Sequence, residues 1–390
     1  MKRKSTVILA ICIAWVISTV ADNPLLQNAS ESPRTMDYNF SSSNWTNVPV
    51  GLEFQDLTIE SGTYAMENME LNFTGKMTVT NDATLKVRNT TLVLTTRGET
   101  FYREAIVLRD KSRFIAENAT IIFKSVNAIE DSYITVGDEA LVNITDSELN
   151  GLAFIIGEQN SRTYINRSTL RNPSPTGTLD YFGVSARDNS TARIQNSKLD
   201  VAGAGDNASA YILNSDLMAG GIFGGDGNSL IEIRNSIVGT VQWLRDNCTL
   251  RISNSTIEVI GFEGSVLHVE DSGITLVLRV YGDSTALLKS TSVKYVQAYD
   301  RSQVWLINSA AKDIRTLDEG KVYVGWQLPL FGTISFPHTW LPILLVLAFL
   351  LALSLIIALL VFLNRQWKRW QTKKLRQQAE SRLTQPSVDL

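Results

Sequence analysis

IEIRNSIV (231–238), LRISNSTI (250–257) and LHVEDSGI (267–274) share one reading: apolar-x-apolar-x-[Asn/Asp]-Ser-x-apolar. Outward from these three, the same unit recurs toward both ends. Upstream stand LKVRNTTL (85–92), FIAENATI (114–121), VNITDSEL (142–149), TYINRSTL (163–170), ARIQNSKL (192–199) and AYILNSDL (210–217); downstream, ALLKSTSV (286–293) and VWLINSAA (304–311). The third position is apolar in every unit, from Val87 to Leu306. The fifth is Asn or Asp except at Arg167 and Ser290, and the sixth is Ser or Thr except at Ala119. Early units are spaced as widely as 29 residues; after Asn196 the spacing settles to 17–21.

Each position has a physical reading. Apolar residues at positions one and three form a strand with one buried face. Asn or Asp at position five tolerates the left-handed backbone conformation, so the chain turns sharply there. Ser or Thr next satisfies the turn locally. Position eight opens another inward-facing strand. A coil of this size cannot bury its own inner face, so it stacks on the next one, with parallel strands ~4.8 Å apart. Leu52–Val79 also alternates and is expected to form the N-terminal cap and first coil, and the repeat domain is placed at 51–336.

The repeated φ-x-φ-x-Asn-Ser-x-φ unit resembles the right-handed parallel β-helix repeat of many secreted and cell-surface proteins, the pectate-lyase-like superfold. The resemblance covers about 85–311. It implies an all-β, right-handed parallel β-helix (solenoid) and is silent on activity. The signatures of enzymatic members, Asn-Thr-Asp, Asp-Asp, Gly-His-Gly and Arg-Ile-Lys among them, are missing.

The ends of the chain set its expected location. Trp340–Leu363 is a 24-residue run without a charge. As a helix it is about 36 Å long, enough to cross a bilayer core and contact its lipid. Residues 364–390 carry seven basic side chains against Glu380 and Asp389, the pattern of a basic cytoplasmic tail. At the other end Lys2, Arg3 and Lys4 precede the apolar Val7–Val20, read as a signal peptide over 1–21. Residues 22–50, rich in Asn, Ser, Thr and Pro, read as a flexible lead-in. The expected topology is single-pass type I in the cell membrane, with the ectodomain outside. That exported part holds 26 basic and 37 acidic residues, which argues against nucleic acid as a partner. Cys248 is the one cysteine downstream of the signal, so it is read as a buried small hydrophobe or an interchain bridge, with burial favoured.

Several residue patterns bear on function. Twelve Asn-x-Ser/Thr sequons occur. Asn28, Asn39, Asn44, Asn143, Asn166, Asn189, Asn207 and Asn247 are the better glycosylation candidates. Asn89, Asn118 and Asn254 occupy the turn position, where stacking on neighbouring coils competes. Outward strand positions place Tyr164, Tyr211 and Trp305 in one column, a surface for an extracellular glycan or a surface-protein partner. Asp180, Asp188, Asp200, Asp206 and Asp226 read as a solvated acidic face, with an acidic groove or a Ca²⁺ site as the alternative. Gly-Gly-Ile-Phe-Gly-Gly-Asp-Gly (220–227) is read as a flexible connection between coils. No catalytic residue, cofactor or metal site is assigned. The expected function is a membrane-anchored, non-catalytic binding, adhesion or structural module. The alternative is a membrane-tethered polysaccharide lyase or glycoside hydrolase acting on acidic glycans.

Overall fold

The computed structural model describes residues 56–96, 102–125, 131–171, 183–328 and 332–383. The expected signal peptide (1–21), the expected lead-in (22–50) and the last seven residues lie outside them. The described residues form 32 strands, β1 to β32 in chain order, then one α-helix. The strands make a parallel β-solenoid of about 12 turns. A 13-stranded sheet runs from β1 (Leu57–Ile59) to β30 (Ala310–Thr316). A 14-stranded sheet runs from β2 (Thr63–Glu67) to β32 (Gly332–Pro337), whose last pairing is antiparallel. A 5-stranded sheet, β3 (Glu70–Thr74) to β15 (Thr169–Arg171), forms a third side of the early coils.

The repeat maps onto this frame directly. Positions one to four form the 14-stranded sheet, and its third position stacks in register: Ile144, Ile165, Ile194, Ile212, Ile233, Ile252, Val269, Leu288, Leu306. All nine are at most 3% exposed. They join the buried side chains of the 13-stranded sheet in one continuous core. Burying a side chain of this size contributes roughly 1.5–3 kcal/mol.

The fifth position makes the first turn. All eleven of its residues have φ between 47° and 51°, including Arg167 and Ser290, which are not Asn or Asp. Asn68, one coil earlier, joins them at 56°. A non-glycine residue pays about 1–2 kcal/mol for this conformation, so the stack on either side imposes it. Arg167 also makes a two-pronged ion pair to Asp146 of the preceding coil, at 2.6 and 2.7 Å. That pair holds the Asp146 carboxyl below its usual range.

The sixth position builds a buried serine ladder. Ser168 Oγ accepts the N–H of Ser147, Ser197 Oγ that of Ser168, Ser215 Oγ that of Ser197, and Ser236 Oγ that of Ser215, each at 3.1–3.2 Å. Each hydroxyl then donates to the carbonyl two residues before it, as Ser215 does to Leu213 at 2.8 Å. Ala119 supplies no hydroxyl, yet its N–H still finds Ser147 Oγ at 3.1 Å. Outside the serines the asparagine amides stack: Asn235 Nδ2 donates to Asn214 Oδ1 and Asn214 Nδ2 to Asn196 Oδ1.

A second left-handed turn leads each coil back into the 14-stranded sheet. Asn81, Asp110, Asp138, Gln159, Asp188, Asp206, Asp246, Asp300 and Asp318 hold φ between 53° and 59° there. Their side chains form another ladder: Asp110 Oδ2 accepts the N–H of Asn81 and Asp138 Oδ2 that of Asp110, both at 3.0 Å. One or two residues after these turns a small side chain is buried. Ser112, Ala140, Ser161, Ser190, Ala208, Ser229, Ser265, Ser284 and Ser302 fill this column, and Cys248 belongs to it, fully buried.

The glycine-rich stretch departs from expectation. Gly220–Gly225 lies within strand β20 (Asp216–Gly225), with Ile222 fully buried. These glycines serve close approach: a Cβ at Gly221 (φ 123°) would overlap Thr240 O, and one at Gly225 would lie 2.7 Å from Cys248 Sγ. Beyond the solenoid, helix α1 (Leu341–Leu383) is continuous for 43 residues, carrying the apolar run into the basic tail without a break. Its segment Val346–Gln371 is long and apolar enough to cross a membrane.

Two outcomes test this account. Ser215→Ala should lower the local opening free energy around its coil by about 1–3 kcal/mol, because Ser197 N–H is left buried without its partner; native-state hydrogen exchange reads this directly. Cys248 should resist thiol reagents at neutral pH until the chain unfolds, since burial pushes its thiol pKa up. The folded state holds that proton more tightly than the unfolded chain. The stability this contributes is therefore present below the ordinary thiol pKa and is lost as pH rises toward the raised one, a loss that Cys248→Ser should remove.

Candidate ligand groove

The outer face of the 13-stranded sheet changes character along the rod. β10 (Asp131–Val136), β13 (Leu152–Gly157), β16 (Gly183–Ala186) and β18 (Val201–Ala204) pair in register. Ile134, Ile155, Val184 and Ala202 align and point inward. Alternation turns the residues before them to the outer side of the sheet: Tyr133, Phe154, Gly183 and Val201. Tyr133 and Val201 are buried there, at 8% and 3% exposure, and Phe154 is half-buried. Two aromatics are thus followed by a glycine. Tyr133 and Phe154 stack, ring centroids 6.2 Å apart and 14° from parallel. Phe154 leans over Gly183, where an added Cβ would sit 2.5 Å from its ring. In the next outward column Gly203 lies so close to the following coil that its Cβ would be 2.5 Å from Phe223 O.

Along this face runs a groove of about 550 Å³ with aromatic side chains in its lining. Its lining includes Tyr133, Phe154, Val201 and Phe223, with the hydroxyls of Thr135 and Ser185. Among the described residues of the lining Glu104 and Arg187 carry charge, and Glu104 sits 3.9 Å from Lys76. At its far end Phe223 meets Trp243 edge to face, centroids 5.6 Å apart.

Trp243 is the unusual residue of the site. It lies on β22 (Ile237–Leu244) where the register to β24 (Thr256–Glu263) shifts, Val241 pairing with Ile260 and Leu244 with Phe262. The bulge gives Trp243 a φ of 60° and leaves it 60% exposed. A bulky aromatic residue in the left-handed region is strained, and bulges re-aim side chains beside functional sites. The strand twist that serves packing elsewhere here presents an indole to solvent.

The other sequence-derived candidates have definite places. Tyr164, Tyr211 and Trp305 do share one register column on the 14-stranded sheet, but they do not meet. Arg193 separates Tyr164 from Tyr211, and Glu232, Arg251, His268 and Leu287 lie between Tyr211 and Trp305. Trp305 instead stacks on Tyr323, 4.2 Å between centroids. Burial and the neighbouring Arg251 both lower the pKa of His268 in this column. Asp188, Asp206 and Asp226 fall in the second-turn column, accepting the N–H groups of Gln159, Asp188 and Asp206. Asp200 sits apart, and Asp180 is outside the described residues. Among the described residues no group of three or more His, Cys, Asp or Glu is placed to hold a metal ion.

The sequons separate by position. Asn189, Asn207 and Asn247 are exposed beside the second turn. Asn143 and Asn166 lie on the 14-stranded sheet; Asn166 Oδ1 accepts from Asn196, and its sequon hydroxyl, Ser168, is buried in the serine ladder. Asn89 and Asn118 donate their amides along the first-turn stack. Asn28, Asn39 and Asn44 lie outside the described residues.

Sequence reasoning missed the groove because its strands follow connections of unequal length, so no fixed spacing marks Tyr133, Phe154, Phe223 and Trp243. No protein-family model matches the chain, and neither a curated protein nor a solved structure matches it significantly. Expressed in a host that glycosylates exported chains, the protein should carry glycans at Asn189, Asn207 and Asn247 and lack them at Asn89 and Asn118. Glycopeptide mapping checks this, and full occupancy of Asn118 would contradict the ladder.

Proposed function

We propose that this chain is a single-pass surface protein, delivered by its N-terminal signal and held by helix α1, whose β-helical ectodomain is a non-catalytic binding module. The basic tail fits the cytoplasmic side, and the ectodomain then faces outward. The ligand site in this reading is the groove on the 13-stranded sheet, and the ligand is an extracellular glycan. The resemblance of the repeat to pectate-lyase-like β-helices fits a carbohydrate partner.

One observation carries the reading: strain and exposure coincide at Trp243, at the end of a groove with aromatic side chains in its lining. The edge-to-face contact with Phe223, worth roughly 0.5–1.5 kcal/mol, at best offsets the about 1–2 kcal/mol that the left-handed backbone costs, and the exposed indole face is left for a ligand to stack on. Glycosidic cleavage by two carboxylates needs them about 5–9.5 Å apart across the scissile bond, and among the described residues Glu104 is the one carboxylate in the lining. The groove therefore favours binding over turnover.

Trp243→Gly provides the test. Glycine adopts a positive φ freely, and this relief of about 1–2 kcal/mol offsets an edge-to-face contact of roughly 0.5–1.5 kcal/mol. Thermal stability should stay level or rise while glycan binding by the full-length protein falls at least ~10-fold, about 1.4 kcal/mol. Glycan binding unchanged in Trp243→Gly would remove the groove from the function.

A further inference from the structure

The groove has two aromatic platforms. Tyr133 and Phe154 stack on consecutive coils, and Phe223 and Trp243 meet on two later ones. Between them β16 and β18 present Gly183 and Val201 in one outward column and Ser185 and Gly203 in the next. Phe154 stands on β13 and Phe223 on β20, three coil steps apart. At ~4.8 Å per step the platforms are separated by about 14 Å along the rod axis. A compact ligand reaches one of them; only an extended one reaches both.

The lining also limits ligand charge. Among the described residues of the lining Arg187 is the one cation, and the one carboxylate, Glu104, already faces Lys76. A polyanionic chain would bring a charge with every unit to a site offering a single guanidinium. An acyl chain would desolvate the hydroxyls of Thr135 and Ser185 without giving them partners. A peptide cannot add as a strand, because every strand under the groove is already paired on both sides. An uncharged sugar chain meets each condition: its C–H faces stack on the rings and its hydroxyls reach Thr135, Ser185 and Arg187.

We propose that the groove binds an uncharged, extended oligosaccharide laid along the rod axis across the strands, with a minimum length set by the distance between the Tyr133–Phe154 and Phe223–Trp243 platforms. This rests on the groove being the binding site, and it adds the ligand's charge, direction and length.

The test uses the full-length protein in detergent micelles, titrated calorimetrically with chito- and cello-oligosaccharides and with oligogalacturonates, each from the monosaccharide upward. Neutral chains of one series should gain at least tenfold in affinity once they bridge the platforms. Phe154→Ala and Trp243→Gly should each abolish that gain; Trp243 is exposed at a bulge, so its variant reports binding even where Phe154→Ala perturbs the fold. A flat length dependence for neutral chains that still require Trp243 overturns the two-platform proposal and leaves the groove as a binding site. So does tighter, Trp243-dependent binding of oligogalacturonates. Displacement of neutral chains by detergent monomers in a Trp243-dependent way overturns the proposal in favour of an acyl ligand. Absence of sugar binding in every series overturns the proposal together with the glycan reading of the groove.

Discussion

Everything in this rod depends on one recurring constraint: each coil must reverse direction at the same angular position as the coil before it. A coil of some twenty residues has too little interior to be stable alone, so its stability is its contact with two neighbours. The left-handed residue of the first turn and the buried serine after it meet the constraint together. The left-handed residue aims the chain, and the serine hydroxyl takes the amide that the turn would leave without a partner in the interior. Because Oγ of one coil accepts from the coil before, the device locks register as well as closing the turn. A one-residue slip would move every inward side chain outward and break the ladder at once. Arg167 and Ser290 show the strength of the lock, since both take the left-handed conformation without the side chain that favours it.

Much of this was legible in the residues. Alternation, the Asn or Asp and the serine sit at fixed offsets, and the structure places all three in stacked columns. Even Cys248 reads correctly as buried, although its reason appears only in three dimensions, where it takes a place otherwise held by serine and alanine. The second turn was equally present in the text, as Asp-Lys-Ser at 110–112, Asp-Asn-Ser at 188–190 and Asp-Arg-Ser at 300–302. It went unread because its flanking strands vary in length. The stretch at 220–227 misled for a physical reason: glycine marks both freedom and close approach, and only the neighbouring strand tells which. Here Thr240 and Cys248 press against it.

The groove lies where the pattern is weakest. The 14-stranded sheet repeats with little variation and offers a mixed column of Tyr, Arg, Glu, His and Trp. The 13-stranded sheet receives the longer connections and carries the bulge at Trp243. Function in repeat proteins concentrates at such departures, because a strict repeat has nothing local to distinguish one ligand position from the next. Helix α1 adds a second kind of asymmetry. It continues from the apolar run into the basic tail.

The most direct measurement of the central claim is oxidative footprinting of the full-length chain, by mass spectrometry, with and without a saturating neutral oligosaccharide. The account predicts protection of Trp243 and the half-buried Phe154 on the 13-stranded sheet, with Trp305 and Tyr211 on the other sheet unchanged. Protection confined to Trp305 and Tyr211 would contradict it and move the binding face to the 14-stranded sheet.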